Sequence, residues 1–472
     1  MTIRFMPAGG LRAVLCGVAG AWCVATHAAS PLPSVSSDSP DAVAAPAPAA
    51  ASAPELVSSS AHKLYEQARH QLVQVRTLLS GQGSQSSVGS GFFVGEGGLI
   101  ITNYHVVSQV ALQPQRYRLT YAGVDGRQGA LELLAFDVAH DLAVVRPSEA
   151  GAAAIKGLAF RSRATPLDKG ERIYSLGNPL DVGFAVVEGT YNGLVDRGFY
   201  PTVFFSGSLN PGMSGGPTLD EQGRVMGVNV ATRLDGQQVS FLVPGDFAED
   251  LLLRARKATP IKQAVYPEVT RQLMVHQDVL TKRFMAQPWR SAGHAHYRIP
   301  VPQETFMRCW GNSTQPDNKG LEFERSDCSM NQSVFINSSL YTGNLATRHE
   351  IYDGSKLGAW RFARQYSKSF RNEYFGGAGA RTAAQCSERF VTNDGLPLRA
   401  VICLNAYKKL PGLYDMGVLV ATLNDDTAGA QGRFDAKGVS FDNAMKLADF
   451  YLKGYGWIPT KKAEAESKRP SR

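Results

Sequence analysis

Short apolar runs between glycine-rich turns make up the chain from about residue 58 to residue 253. Many short strands with regular turn signals predict a β-barrel or a sandwich. The predicted strands are 72–78, 91–94, 98–102, 142–145, 172–176, 202–205 and 225–230. A helix at 247–256 is predicted to close this part of the chain.

A different pattern fills residues 260–460. Apolar residues near helical spacing predict a helix at 267–285. Ser440 is placed to cap a further helix that runs through Leu452 and ends at Gly454. Mostly strand-like runs lie between the two helices, so this part of the chain is predicted to be an α+β domain.

The start of the chain has the pattern of a secretion signal. Positive charge at Arg4 and Arg12 accompanies a short apolar segment at 11–25, and small residues offer a cleavage site near residue 29. The apolar segment is shorter than the roughly 20 residues of a membrane-spanning helix, which favours removal over a retained anchor. We therefore expect an exported, periplasmic or secreted protein, and contact with a membrane only if this segment is kept.

Composition changes along the chain and marks its predicted boundaries. Residues 30–57 are rich in Pro, Ala and Ser, which predicts a flexible linker. The predicted divisions are a signal peptide at 1–29, this linker at 30–57, a β-rich domain at 58–257, an α+β domain at 258–460 and a basic disordered tail at 461–472. The net charge of +8 is spread thinly over 472 residues, so no nucleic-acid partner is expected.

Four cysteines remain after removal of the signal segment, and an even number in an exported chain predicts two disulfides. The dipeptide Asp394-Gly395 predicts a two-residue hairpin turn. In the register that this turn sets, Cys386 and Cys403 face each other on a non-hydrogen-bonded pair. Cys309 and Cys328 are symmetric about a longer turn, which predicts the second disulfide. No closely spaced Cys pair is present, which disfavours a zinc site.

Candidate chemistry begins at Ser214, within Asn-Pro-Gly-Met-Ser-Gly-Gly-Pro at 210–217. A serine hydroxyl is a poor nucleophile until a base removes its proton. A glycine two positions earlier, Gly212, can adopt a backbone conformation that lets its N–H converge with that of Ser214 on one point, as an oxyanion hole. Taken alone, the motif also fits an ordinary glycine-rich turn between strands.

Two further segments supply the rest of a nucleophilic centre. His105 directly follows an apolar strand in Thr-Asn-Tyr-His-Val-Val, and Asp141 precedes the apolar run that starts at Leu142. A carboxylate at the edge of a buried strand needs a partner, and an imidazole N–H is one. Nearby Asp137 and His140 also fit ordinary turn residues. The predicted roles are nucleophile for Ser214, general base for His105 and orienting acid for Asp141.

Together these motifs resemble trypsin-like serine proteases, particularly the bacterial HtrA/Deg type. The resemblance rests on T-N-x-H-V-V, D-x-x-x-D-L-A-V and N-P-G-x-S-G-G-P in that order, and it covers about residues 64–253. It implies a mainly β protein, with two six-stranded β-barrels and the triad between them, acting on protein or peptide substrates. No cofactor or metal is expected. The family's usual Asn before the nucleophile is Met213 here, and no PDZ-type segment follows.

The same resemblance predicts the residues of the specificity pocket. The position six before the nucleophile sets the charge of the pocket in this family, and here it is Ser208. Val230 and Ala231 are available to line the far wall. Without an acid at Ser208, a preference for Lys or Arg is not expected; small or medium aliphatic residues are expected before the cut. Arg233 or Asp235 could change the charge of the pocket by folding into it.

Alternative functions come from two other classes. Gly-x-Ser-x-Gly also fits an α/β-hydrolase such as a serine esterase, but that fold requires the order Ser, acid, His and long helices between strands. His276, His294, His296 and His349 follow Ser214 without a strand-and-acid context, so they are interpreted as surface or structural residues. His294 and His296 could bind a metal, but no third ligand is evident in the sequence, so a metal site is disfavoured. The other alternative is a catalytically silent binding protein on a protease scaffold.

Overall fold

The computed structural model describes residues 58–149, 151, 154–232, 238–293, 297–315, 320–371, 379–423 and 425–458. At 231–232 and 291–293 it describes the backbone alone. The predicted signal peptide, linker and basic tail, and also Arg233, Asp235, His294 and His296, lie outside the described residues. From Ser58 onward the described residues belong to one compact unit.

The first β-barrel follows helix α1 (Ser59–Ala68), which begins where the Ser58 side chain accepts a hydrogen bond from the Ala61 amide at 3.1 Å. Six antiparallel strands close in the order β1-β2-β3-β6-β5-β4. Helix α2 (Tyr104–Leu112) lies between β3 and β4. The strands are β1 (Leu72–Leu79), β2 (Gln85–Val94), β3 (Leu99–Thr102), β4 (Tyr117–Gly123), β5 (Gln128–Asp137) and β6 (Leu142–Pro147).

A second barrel of the same kind follows. Its six antiparallel strands close in the order β10-β11-β12-β9-β8-β7. Helix α3 (Gly245–Ala255) packs against both barrels and ends this part of the chain. The strands are β7 (Arg172–Gly177), β8 (Ala185–Leu194), β9 (Val203–Ser206), β10 (Pro217–Leu219), β11 (Val225–Thr232) and β12 (Ser240–Pro244). The two barrels share an apolar core that includes Phe92, Ile101, Leu176 and Val228.

The C-terminal part is an α+β structure built on a seven-stranded antiparallel sheet of order β15-β16-β19-β23-β22-β21-β20. Apolar residues of α4 and α6, such as Phe284 and Tyr451, pack against sheet residues such as Phe434. The helices are α4 (Tyr266–Met285), α5 (Ala359–Ser369) and α6 (Phe441–Lys453). The sheet strands are β15 (Met307–Ser313), β16 (Glu322–Met330), β19 (Leu345–Asp353), β20 (Gln385–Asn393), β21 (Leu396–Ala406), β22 (Leu413–Thr422) and β23 (Ala428–Ser440).

Two smaller sheets complete the C-terminal part. One is a three-stranded sheet of β13 (Arg290–Gly293), β14 (Tyr297–Val301) and β24 (Gly456–Trp457). The other is the two-stranded hairpin of β17 (Val334–Asn337) and β18 (Leu340–Thr342). This hairpin lies against α2 of the first barrel, as described below.

The β-barrels and the C-terminal part are not independent in their packing. One apolar cluster joins α2 residues such as Val107 with Leu273 of α4, Ile336 of β17 and Leu410. The predicted domain boundary at residue 257 falls between α3 and α4. That the parts on either side of it are separate domains stays a prediction. Removing the C-terminal part would expose this shared core to water.

Both disulfides lie in the seven-stranded sheet, between neighbouring strands. Asp394 and Gly395 have φ values of 43° and 77°, which is the left-handed backbone of a tight hairpin turn. β20 and β21 then pair Cys386 directly with Cys403, and the two residues are bonded with a Cα–Cα distance of 4.0 Å. Cys309 of β15 is bonded to Cys328 of β16 in the same way.

Each of the strands and helices predicted from the pattern is present in the structure. Their ends agree to within two residues, except that β2 begins at Gln85, six residues before its predicted start. The Ser440 side chain caps α6 by accepting a hydrogen bond from the Asn443 amide. Among the described helices, none is long and apolar enough to cross a membrane. Within the same residues, no three His, Cys, Asp or Glu side chains cluster as metal ligands would.

Candidate active site

The position of His105 follows from the strand before it. β3 is an entirely buried apolar strand, and Asn103 after it is still extended before α2 begins at Tyr104. The Asn103 side chain donates to the Asp141 carbonyl at 2.8 Å, and the Tyr104 amide donates to the same oxygen at 3.1 Å. The first turn of α2 is thereby fixed to the loop that carries Asp141.

Asp141 directs both of its carboxylate oxygens at His105. Oδ2 lies 2.6 Å from His105 Nδ1, and Oδ1 accepts the His105 backbone N–H at 2.8 Å. Asp141 has a φ of 55°, which is uncommon for a residue with a side chain. Because four polar contacts fix Asp141, its left-handed backbone is held in place. The contact between Asp141 Oδ2 and His105 Nδ1 sets the tautomer in which Nδ1 carries the proton and Nε2 is the basic nitrogen.

Two opposing effects act on the His105 imidazole. Burial disfavours the charged ring, but the negative charge of Asp141 and its hydrogen bond to the ring outweigh burial. The net result is that the pKa of His105 is raised above its ordinary value of 6.5. A raised pKa makes this imidazole a stronger base than a free histidine.

Ser214 lies in the turn between β9 and β10, beside the helix of His105. Its carbonyl oxygen accepts the Ser90 amide of β2 at 2.8 Å. The approach is close enough that a Cβ added at Gly89 would lie 3.0 Å from the Ser214 oxygen and 2.5 Å from Val106. The Ser214 hydroxyl donates to the Val230 carbonyl at 3.3 Å. Within the described residues no hydrogen bond joins this hydroxyl to His105, so a rotation of the Ser214 side chain is needed to bring the two together.

The backbone around Ser214 presents unused donors. Gly212 has a φ of 95°, and a Cβ there would lie 2.4 Å from the Asn178 carbonyl, so this position requires glycine. In the part of the chain that the structure describes, neither the Gly212 amide nor the Ser214 amide donates to a protein acceptor. Two free N–H groups beside a serine hydroxyl are what an oxyanion requires.

Ser90 and Asn229 support this loop, and the sequence motifs alone did not give them these roles. The Ser90 hydroxyl donates to the Gly212 carbonyl at 2.7 Å and accepts the Asn178 amide at 2.9 Å. The buried Asn229 side chain donates to the Met213 carbonyl at 3.1 Å, and the Asn229 backbone carbonyl accepts the Gly215 amide at 2.9 Å. Both residues therefore position the loop without touching the reacting atoms.

The predicted pocket residues occupy separate surroundings. Val230 helps to line a cavity of about 840 Å³ that also touches Asp141. Ser208 is exposed and is not among the residues that line this cavity. Beneath it, the buried Ser240 hydroxyl joins the Gly207 carbonyl to the Leu209 amide. Ala231 lies in β11, where the structure describes only its backbone.

Three other histidines, His140, His276 and His349, have partners away from Ser214. Nδ1 of His140 lies 3.0 Å from the Asp137 carboxylate, and the His140 ring stacks on the Phe247 ring with centroids 3.8 Å apart. His276 lies between the Tyr200 hydroxyl and the Gly343 carbonyl, at 2.8 and 2.9 Å. His349 of β19 is buried, and its Nε2 lies 3.1 Å from the Tyr451 hydroxyl. Burial lowers the pKa of His276 and lowers that of His349 to about 3.

Comparison with known proteins agrees with this geometry. A family profile described as "Trypsin-like peptidase domain" matches residues 89–228, which include His105, Asp141 and Ser214. The match lies within the two barrels, which we call the peptidase domain after this similarity, and it covers under a third of the 472 residues of the chain.

Relatives of the peptidase domain are found in bacteria and in animals. One is the "Probable periplasmic serine endoprotease DegP-like" of Hahella chejuensis, 30% identical over 184 residues, or 38% of this chain and 37% of that protein. Another is "Serine protease HTRA2, mitochondrial" of Drosophila pseudoobscura, 31% identical over 202 residues, or 40% of this chain and 44% of that protein. The chain thus spans less than half the length of each of these curated relatives.

Among solved structures, the serine endoprotease from Yersinia pestis is similar at 24% identity and a TM-score of 0.37. The likeness covers 43% of this chain and 68% of that one.

One contact of the peptidase domain comes from outside the matched segment. The Phe335 ring of β17 meets the His105 ring edge-on, with centroids 6.1 Å apart and an interplanar angle of 78°. The Tyr104 hydroxyl donates to the neighbouring Ile336 carbonyl at 3.3 Å. The His105 imidazole is thus contacted by both parts of the chain: Asp141 of the peptidase domain is hydrogen-bonded to it, and Phe335 of the C-terminal part packs against its ring.

Proposed function

We propose that the protein is a serine endopeptidase in which Ser214 is the nucleophile, His105 the general base and Asp141 the residue that orients the base. The observation that carries this proposal is the pair of short contacts from Asp141 to His105, at 2.6 and 2.8 Å. Beside them lies Ser214, whose own amide and that of Gly212 donate to no protein acceptor among the described residues. The peptidase-family match over the same residues supports it. The proposed reaction requires neither a metal ion nor a cofactor.

The first half of the reaction forms an acyl-enzyme. His105 Nε2 removes the proton of Ser214 as its oxygen attacks the carbonyl carbon of the peptide bond. The carbonyl oxygen becomes an anion, and the Gly212 and Ser214 amides stabilise it by hydrogen bonds. The imidazolium that forms is stabilised by Asp141, as the raised pKa of His105 indicates.

The second half restores the enzyme. His105 passes its proton to the leaving nitrogen, the carbon–nitrogen bond breaks, and the shortened amine product departs. A water molecule then gives a proton to His105 and attacks the acyl carbon. Ser214 leaves as the alcohol after it regains a proton from the imidazolium, and the carboxylic acid product is released.

We propose unfolded chains or exposed segments as substrates, and export as the location. An extended segment is needed because the reacting carbonyl must enter the cleft between the two barrels, which a folded region cannot do. Export is supported by the predicted signal at residues 1–29 and by the similarity to a relative named as a probable periplasmic endoprotease. The specificity pocket is proposed to involve Ser208, Val230 and Ala231, with preference for small or medium aliphatic residues.

The test compares the parental protein with Ser214→Ala on unfolded casein. Loss of a triad member removes about three or more orders of magnitude in turnover. The same melting temperature in both proteins, measured by circular dichroism, shows that folding is intact. Cleavage of casein at the parental rate by Ser214→Ala would refute the assignment. Absence of cleavage by both proteins would favour the silent binding protein. An α/β-hydrolase esterase is not compatible with the two closed antiparallel barrels.

A further inference from the structure

The β17–β18 hairpin of the C-terminal part forms one wall beside the catalytic imidazole. Phe335 of this hairpin contacts the His105 ring, and Ile336 is bonded to Tyr104, the residue before His105. Tyr104 and Ile336 are fully buried, so this attachment is part of the core rather than a surface contact. A substrate that reaches His105 from this side must therefore pass the C-terminal part.

A groove of about 560 Å³ runs along this wall and reaches His105. Ser86 and Ser87 of β2 and residues of α2 form its side on the peptidase domain. Phe335, the turn after β17 and the segment Tyr407–Leu410 form the opposite side. The groove is thus shared between the peptidase domain and the C-terminal part.

The described lining of this groove carries positive charge. Lys408 and Lys409 are exposed within it, and no Asp or Glu is found among its described lining residues. Neither ammonium group forms an ion pair in the described part of the chain; Lys409 is 3.4 Å from the Tyr266 hydroxyl. The preceding residue, Tyr407, is buried and its hydroxyl is bonded to Thr342 of the hairpin at 2.7 Å. The lysine pair is therefore fixed to the same hairpin that contacts His105.

The groove and the larger cavity meet the catalytic residues from different directions. The groove touches His105 but neither Asp141 nor Val230. The cavity of about 840 Å³ touches Asp141 and Val230 but not His105. In acyl transfer by a triad, the imidazole protonates the leaving nitrogen, so the segment attached to that nitrogen lies beside the imidazole. The groove is placed to receive this segment.

We propose that the groove binds the substrate residues that follow the cut bond, and that Lys408 and Lys409 select acidic side chains there. The inference rests on the proposed peptidase activity and adds a substrate class to it. That class is polypeptide segments with Asp or Glu within the first few residues after the cut. Charge complementarity carries the choice, since a groove whose described lining holds two ammonium groups and no carboxylate attracts acidic chains and repels basic ones.

The test uses synthetic peptides that share one aliphatic sequence before the cut and differ only in the three residues after it. Those three residues are acidic, neutral or basic, and cleavage is followed by mass spectrometry. The readout is the ratio of kcat/KM for acidic over basic peptides within one protein. Each rate is divided by the fraction of molecules that react with a fluorophosphonate, which corrects for molecules that failed to fold.

We expect the parental protein to favour the acidic peptides by about tenfold at low salt, and the ratio to shrink toward one at about 0.5 M salt as screening increases. Lys408→Glu with Lys409→Glu should invert the preference. A matched control, Lys257→Glu with Lys446→Glu, changes the net charge equally but lies outside the groove, and should keep the parental ratio.

The outcomes separate this inference from the proposed function. Cleavage by the parental protein without an acidic preference would overturn the inference alone, and so would a preference that survives in the Lys408→Glu, Lys409→Glu protein. Cleavage of none of the peptides, together with no fluorophosphonate reaction, would overturn the peptidase assignment and the inference with it.

Discussion

The hydroxyl of Ser90 is the most informative single group to remove, because it holds the proposed oxyanion loop from behind. It donates to the Gly212 carbonyl at 2.7 Å and accepts the Asn178 amide at 2.9 Å. Ser90→Ala deletes these two bonds only. The Ser90 backbone contacts to Ser214 and Thr102 remain, since neither uses the side chain.

The structure sets the size of the expected effects. Each lost hydrogen bond is worth about 1 kcal/mol, and a buried group left without a partner costs about 1–3 kcal/mol. Ser90 and Asn178 are both buried, so we expect Ser90→Ala to lower the free energy of unfolding by about 2–4 kcal/mol. Removal of a whole oxyanion donor costs about 100- to 1000-fold in kcat, so a loosened loop should cost about 10- to 100-fold.

The assay must separate catalysis from stability. We would measure kcat and KM on one peptide well below the melting temperature, with Val420→Ala as the control. Val420 is fully buried in the C-terminal sheet, and its truncation costs about 2–3 kcal/mol without touching the loop. Ser90→Ala should lower kcat with KM nearly unchanged, because the oxyanion exists only in the transition state. Parental kcat in Ser90→Ala, or an equal loss in Val420→Ala, would refute the reasoning.

Three further predictions concern pH, specificity and acid stability. Because the pKa of His105 is raised and the reaction needs its neutral form, the rate of hydrolysis should rise with pH through a midpoint above 6.5. Asp141→Asn should lower the plateau of this rate by about 10⁴-fold. A rate that is flat from about pH 5 to 9 would contradict this prediction. With neutral Ser208, profiling of a peptide library should show cuts after Val, Ala or Leu, and a dominant Lys or Arg signal would contradict the assignment of Ser208. In the folded protein the pKa of His349 is about 3, whereas in the unfolded chain this imidazole gains its proton near pH 6.5. The free energy of unfolding should therefore fall by about 1.4 kcal/mol per pH unit below pH 6.5 on account of this group. Denaturant titrations of His349→Phe should show a shallower loss, and equal pH slopes in the two proteins would argue against this prediction.

Local patterns in the sequence were sufficient for much of the architecture. The Asp394-Gly395 turn fixes the register of its hairpin, because a two-residue loop leaves no freedom in the pairing of the strands. The runs around His105 and Asp141 likewise predict their own strand ends. The family resemblance supplied what the runs could not, namely that the strands close into two barrels.

Contacts between distant segments could not be predicted in this way. Phe335 is an ordinary apolar residue in its strand, and nothing near it in the sequence indicates that it contacts His105. The Tyr104 hydroxyl and the Ser90 hydroxyl are similar cases, because a polar atom can be bonded to any carbonyl that the fold brings close. The left-handed backbone of Asp141 is also invisible in the sequence, since its hydrogen bonds to three neighbouring residues impose it.

The most direct test of the central claim is reaction of the native protein with a fluorophosphonate, followed by intact-mass and peptide mass spectrometry. A serine is modified by this reagent only where a base and an oxyanion hole activate it. We predict one adduct per molecule, located on Ser214, and none in Ser214→Ala or in the heat-unfolded chain. No adduct on the folded protein, or an adduct on a different serine, would contradict the account.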